Sequence, residues 1–267
     1  MMSGMRHCGR CGRDIANGVV RIRAMIGPFF SYYGGKHRMA RTLYEPPDFD
    51  TIIEPFAGGA GYSCQYPDRK VVLYDKNEKL VGAWQYLIAT SAEEILRLPL
   101  LVEGESVDGL HVCQEAKWLI GWWLNCAVSS PCKTLSKWRI GHVTSRPLTT
   151  WTWQLRQRIA RDVAAIRHWR AHLASYETAP DVESTWFVDP PYEWAGKHYP
   201  HGSKAIDFDS LGAWCQERSG QVIVCENAGA TWLPFRHLAH AQARSGKSAE
   251  VVWTNAAPAQ MRLGGIS

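Results

Sequence analysis

A β-branched run, Thr51-Ile52-Ile53, closes on Glu54-Pro55-Phe56 and passes at once into Ala57-Gly58-Gly59-Ala60-Gly61. A strand ending in a glycine-rich turn is how a doubly wound α/β sheet presents backbone to a ligand at its carboxyl edge. A second apolar run, Lys70 to Tyr74, carries Asp75 at its tip. Asp75 follows Gly58 at close to the ~20-residue offset at which an acidic side chain meets ribose hydroxyls in nucleotide-binding α/β folds. Each signal has a plainer reading, a packing turn or a helix N-cap, but together they favour a nucleoside ligand. The pattern Gly58-Gly59-Ala60-Gly61 does not fit the dinucleotide fingerprint G-x-G-x-x-G. Glu54 beside it would repel a pyrophosphate and attract an ammonium group.

Strand signals return late in the chain. Trp186-Phe187-Val188 ends at Asp189-Pro190-Pro191-Tyr192, Gln221 to Cys225 ends at Glu226-Asn227, and Glu250 to Asn255 supplies a last run. Between the two sets, residues 76–98 read as helix, 111–128 as a Trp-rich helix, 131–148 as a loop with Pro131, Gly141 and Pro147, and 152–175 as one long basic amphipathic helix. The expected fold class is therefore α/β, a Rossmann-like doubly wound sheet over 28–79 and 179–267, with a helical lobe inserted at 80–178 and no parallel strand inside it.

Residues 1–27 read as a basic arm. Cys8 and Cys11 form a single CxxC beside His7, and zinc knuckles usually need a second pair, so no metal is expected. The eight cysteines are irregularly spaced, which points to reduced thiols in a cytoplasm. Neither a spanning apolar run of about 18 residues nor a secretory h-region is present in the sequence. A monomer without an obligate protein partner is the expected state.

Charge is segregated. The net charge is +5, yet residues 131–170 carry nine Lys and Arg against Asp162 alone. That is a candidate footprint for a polyanion. Lys133, Lys137, Arg139, Arg146, Arg156, Arg167 and Arg170 are the candidate polyanion contacts within it. Helical geometry forbids one narrow stripe, and Arg158 is expected to point elsewhere.

Asp189-Pro190-Pro191-Tyr192 is the most specific signal. Two prolines cannot continue a ladder or enter a helix interior, so they stiffen a loop. An acceptor-only carboxylate, Asp189, beside the Pro190 carbonyl can grip both hydrogens of an NH2 group, and Tyr192 offers a flat face for stacking. Phe56 or Tyr32 would offer an aromatic wall to a cationic group.

The order of three motifs, Phe29 to Lys36, then Glu54 to Gly61, then Asp189 to Tyr192, resembles Dam-type adenine-specific DNA methyltransferases, the alpha group of amino-methyltransferases. The resemblance spans residue 28 to about 255. It implies S-adenosylmethionine as cofactor, double-stranded DNA as partner, and transfer of methyl to the 6-amino group of a flipped adenine, in a restriction–modification pair or an orphan phage methylase. It implies that Tyr32, Lys36, Asp75 and Asp189 meet the cofactor. Tyr32 stands where members of the family often carry tryptophan. The basic segment falls where the family places DNA recognition.

Overall fold

The computed structural model describes residues 6–8, 13–16, 19–22, 25–136, 147–194, 202–238 and 250–255, the first three stretches as backbone only. Those three are strands β1 (Arg6–Cys8), β2 (Arg13–Ala16) and β3 (Val19–Ile22), paired antiparallel in chain order with Arg6 opposite Ile15 and Asp14 opposite Arg21. The N-terminal arm therefore carries a small sheet of its own. Cys11 lies outside the described residues.

The apolar runs form strands as expected. Among the described residues α1 (His37–Leu43) leads to β4 (Thr51–Glu54) and β5 (Lys70–Asp75). β7 (Ser184–Val188) and β8 (Gly220–Asn227) flank α6 (Phe208–Gln216). β9 (Arg236–His237) and β10 (Glu250–Thr254) complete the set of strands. Helices α2 (Glu78–Ala89), α3 (Ala92–Arg97), α4 (Gln114–Leu124) and α5 (Trp153–Asp162) and strand β6 (Arg170–Leu173) lie between β5 and β7.

One seven-stranded sheet results, in the order β6-β5-β4-β7-β8-β10-β9. The first five of these are parallel to their neighbours, and β10 runs antiparallel to both β8 and β9. Numbered by appearance, the parallel strands follow 3-2-1-4-5, a doubly wound order that reverses between β4 and β7. Burial follows the pleat. Ile52, Leu73, Phe187 and Ile223 face a core shared with Trp84, Leu87, Trp122, Leu155 and Ile159. Ile53, Tyr74, Trp186, Val188, Val222 and Val224 face the opposite core, with Leu211, Cys215 and Leu233. Each such side chain contributes about 1.5–3 kcal/mol when fully buried.

Three expectations need correction. The 76–98 helix is two helices, because Thr90 and Ser91 are extended and Ser91 opens a capping box with Glu94. The 152–175 helix stops at Asp162, continues as a 3-10 turn over Val163–Ile166, and gives way to β6. β6 pairs parallel with β5, so the segment 80–178 does hold a parallel strand. The helices of that segment contribute Trp84, Leu87, Trp122, Leu155 and Ile159 to the core on one face of the sheet. No helix among the described residues is long and apolar enough to cross a membrane.

Most tryptophans are structural. Trp84, Trp122 and Trp186 are wholly buried. The indole N–H of Trp123 donates to the Phe29 carbonyl at 2.8 Å, that of Trp151 to Pro99 at 2.8 Å, and that of Trp186 to Ser219 at 2.9 Å. Trp123 ties α4 and Trp186 ties β7 to a distant loop, and Trp151 ties the approach to α5 to the loop after α3.

Candidate active site

A cleft opens at the carboxyl edge of the sheet, at the reversal between β4 and β7. Tyr32, Lys36, Glu54, Phe56, Gly58, Asp75 and Asp189 all line it. These are the seven positions expected at the cofactor. Five neighbouring strands deliver a carboxylate to this edge. Glu54 closes β4, Asp75 closes β5, Asp189 follows β7, Glu226 stands near the end of β8, and Glu250 opens the reversed β10.

The glycine turn is held from two sides. Asp75 Oδ2 accepts from the Gly58 N–H at 3.1 Å, and the Trp84 indole donates to the Gly58 carbonyl at 3.0 Å. Gly58 has φ +45°, and a Cβ there would stand 3.1 Å from the Tyr32 ring. A Cβ on Gly61 would stand 2.5 Å from the His37 backbone nitrogen. This loop packs directly against the start of α1, which carries Lys36. Asp75 is not the N-cap of α2: its Oδ1 accepts from Asn77 N–H at 2.8 Å, and Asn77 itself caps the helix by accepting from Lys79. The Tyr32 ring leans on Trp122, with centroids 5.4 Å apart, and Phe56 stacks on Tyr176 at 5.3 Å.

Glu54 is 2% exposed and accepts from the Ser63 N–H at 2.8 Å. Burial, opposed by the Ser63 hydrogen bonds and reinforced by Asp189, pushes its carboxyl up to about 8. At neutral pH it is largely protonated, so it is a neutral neighbour of the cleft until a cation enters.

Lys36 is buried, and its ammonium is already engaged. It stands 3.1 Å from Asp189 Oδ1 and 3.7 Å from Glu250 Oε1, and donates to the Gly34 carbonyl at 3.2 Å. Its ammonium is therefore shared between two of the protein's own carboxylates. Burial raises the Asp189 carboxyl above the usual range, Lys36 opposes the shift, and Glu250 adds to it.

Pro191 lines the cleft, whereas Pro190 and Tyr192 are not among its lining residues. The Tyr192 hydroxyl donates to Glu250 Oε2 at 2.7 Å, and Lys36 Nζ stands 4.7 Å from the centre of its ring. One face of that ring is thus occupied by an ammonium. The loop's exit is fixed by Glu226, whose Oε2 accepts from Glu193 N–H at 3.2 Å and from the Trp232 indole at 3.3 Å. Burial pushes the Glu226 carboxyl to about 7, against three hydrogen bonds that favour its ionised form.

Glu226 and Glu250 stand at this edge behind the cleft lining, Tyr44 donates to Glu250 Oε2 at 3.4 Å, and none of the three was singled out as a site residue in the sequence. Glu226 had a readable signal, an acidic residue ending a buried strand like Glu54. Glu250 had none, because only the reversal of β10 brings its first residue to this edge.

The basic residues divide. Arg156 is 8% exposed, and its guanidinium donates to the carbonyls of Leu96 and Leu98 at the end of α3. In this structure it caps the end of α3. Arg158 donates to Pro28 carbonyl at 2.6 Å and pairs with Asp162, which accepts from Gly27 N–H. Arg167 is exposed and donates to the Ala89 carbonyl at 2.8 Å. Arg170 stands exposed on edge strand β6, not on a helix. Lys133 is exposed and paired with Asp108 at 2.7 Å. Lys137, Arg139 and Arg146 lie outside the described residues.

No protein-family model matches this chain, and no curated protein sequence matches it.

Proposed function

We propose that the chain is a site-specific adenine DNA methyltransferase that uses S-adenosylmethionine. The observation that carries the reading is convergence: residues from three separated motifs, Tyr32 and Lys36, Glu54 to Gly61, and Asp189 with Pro191, line one cleft at the reversal of the sheet.

The donor set fits that cofactor. Asp75 accepts from Gly58 and Asn77, and a carboxylate has lone pairs for ribose hydroxyls as well. Glu54 is a buried acid that becomes a counter-ion when an ammonium approaches. Tyr32 and Phe56 supply aromatic faces for a sulfonium. Bound there, S-adenosylmethionine would supply an electrophilic methyl group.

A duplex adenine is out of reach, so the base must be flipped into the cleft. Asp189 and the Pro190 carbonyl then accept from its 6-amino group. Two acceptors favour a lone pair localised on nitrogen and aimed along one direction. No covalent enzyme intermediate is needed, so positioning supplies most of the rate. Lys36 keeps Asp189 oriented. Tyr192 stacks on the flipped base in this reading.

The test is transfer of tritiated methyl to unmethylated DNA, RNA and total protein, followed by digestion and identification of the labelled product. Label in DNA as N6-methyladenine is the expected result. Label in RNA or protein, or no transfer by protein that binds the cofactor, overturns the reading. Asp189→Ala should lower turnover at least about a hundredfold, the scale of losing a group that acts mainly in the transition state, while cofactor binding survives.

A further inference from the structure

The loop that carries Asp189 has an unusual anchoring problem. Pro190 and Pro191 have no N–H, so two successive residues offer the loop no backbone donor. Its placement must come from side chains. β10 runs antiparallel to β8 with Glu250 opposite Asn227, which brings the Glu250 carboxylate to the edge where β7 and β8 end. Glu250 Oε2 accepts from the Tyr192 hydroxyl at 2.7 Å and from the Tyr44 hydroxyl at 3.4 Å. Glu250 Oε1 stands 3.7 Å from Lys36 Nζ, which stands 3.1 Å from Asp189 Oδ1. Glu250 is not among the residues that line the cleft.

We infer that Glu250 is a positioning residue for the acceptor loop, holding its far end through Tyr192 and its near end through the ammonium of Lys36. The consequence for turnover rests on the reading of Asp189 as the acceptor of the substrate amine. A lysine between Asp189 and Glu250 divides its charge between two carboxylates. Without Glu250 the whole ammonium charge falls on Asp189, and Tyr192 loses a charge-assisted hydrogen bond. Glu250 works on the reaction without touching the reacting atoms. Tyr44 joins the same carboxylate from the end of α1, so the lysine helix, the acceptor loop and β10 meet at one group.

Glu250→Gln keeps an acceptor oxygen for Tyr192 and gives up the charge. Glu250→Ala gives up both. Hydrogen exchange at the Tyr192 and Glu193 amides should rise about tenfold in Glu250→Ala, and less in Glu250→Gln, at unchanged thermal midpoint for the latter. Methyl transfer by Glu250→Ala should lose about tenfold to hundredfold in kcat, the fold-change of one hydrogen bond to a charged group, with cofactor affinity unchanged. Glu250 raises the Asp189 carboxyl, so the acidic limb of the rate profile should move to lower pH in Glu250→Gln. Unchanged exchange at both amides in a folded Glu250→Ala protein overturns the inference, and Glu250→Gln decides it if the alanine variant does not fold. If the wild-type chain methylates no DNA, the proposed activity falls, while the exchange measurement still decides whether Glu250 places the loop.

Discussion

At the scale of single residues, Glu54 stores the clearest conflict. Its carboxyl is buried at the end of β4 and held up to about 8, although the Ser63 N–H favours its charged form. Its folded value lies above its unfolded value. Between those two values the folded chain binds the extra proton, so stability is full below the unfolded value and falls as pH rises through the folded one. Glu54→Gln mimics the protonated acid. It should therefore match wild type in thermal midpoint near pH 4 and exceed it increasingly up to pH 9, with a difference on the order of a few kcal/mol at the alkaline end. A constant difference across that range would remove the titration from Glu54. The same protonation links to the ligand. An ammonium beside Glu54 favours the carboxylate, so calorimetric affinity for S-adenosylmethionine should rise from pH 6 to about pH 7.5, where the ligand amine still holds its proton, and rise less in Glu54→Gln.

At the scale of elements, Arg156 decides what α5 is for. Thr152 caps α5 by accepting from Leu155, and one turn in, Arg156 turns inward to cap the end of α3 through the Leu96 and Leu98 carbonyls. Those carbonyls lie at the helix terminus, where partners must come from outside the helix. Arg156→Ala should cost about 1–3 kcal/mol of unfolding free energy, the desolvation penalty of buried acceptors left unpaired, in urea titration. A stability within experimental error of wild type would free Arg156 for a surface role. The composition of this segment could not reveal the division, because a buried arginine and an exposed one look alike in a basic run. Strands were legible where both faces are buried, as in Ser184–Val188, because β-branched and aromatic runs have few other uses. β6 was not legible. It is an edge strand of Arg170, Ala171, His172 and Leu173, mostly exposed, with no apolar alternation to announce it. The break between α2 and α3 was legible in principle, since Ser91 with Glu94 three residues on is a capping-box signature inside an apolar helical pattern. The cleft itself was the best-read part. Strand tips and glycine turns are local signals, whereas the partners of Lys36 come from β7 and β10 and exist only after the sheet has closed.

At the scale of the whole molecule, the distribution of charge sets how a polyanion can approach. The carboxyl edge of the sheet gathers Glu54, Asp75, Asp189, Glu226 and Glu250, and Lys36 is consumed among them. Under the proposed function, DNA phosphates gain nothing from an edge lined by carboxyl groups, so they are met elsewhere and only the base enters the cleft. Among the described residues, the basic side chains of the run 131–170 do not share one face. Arg156 and Arg158 are internal, Arg161 is exposed but bonded to Asp162, and Arg170 leaves α5 for the sheet edge. Salt dependence counts the charges that remain. Removing one phosphate-binding charge should flatten the slope of log affinity against log salt by about 0.9. Neutralising Arg156 and Arg158 together should leave the slope at its wild-type value, whatever it does to stability, because neither guanidinium reaches solvent as a free charge. Neutralising Lys137, Arg139 and Arg146 should flatten it, and Arg139→Ala alone should relax the choice of site, since base contacts and not phosphate contacts carry sequence information. A slope that falls with Arg156 and Arg158 and holds with the other three would move DNA recognition onto α5.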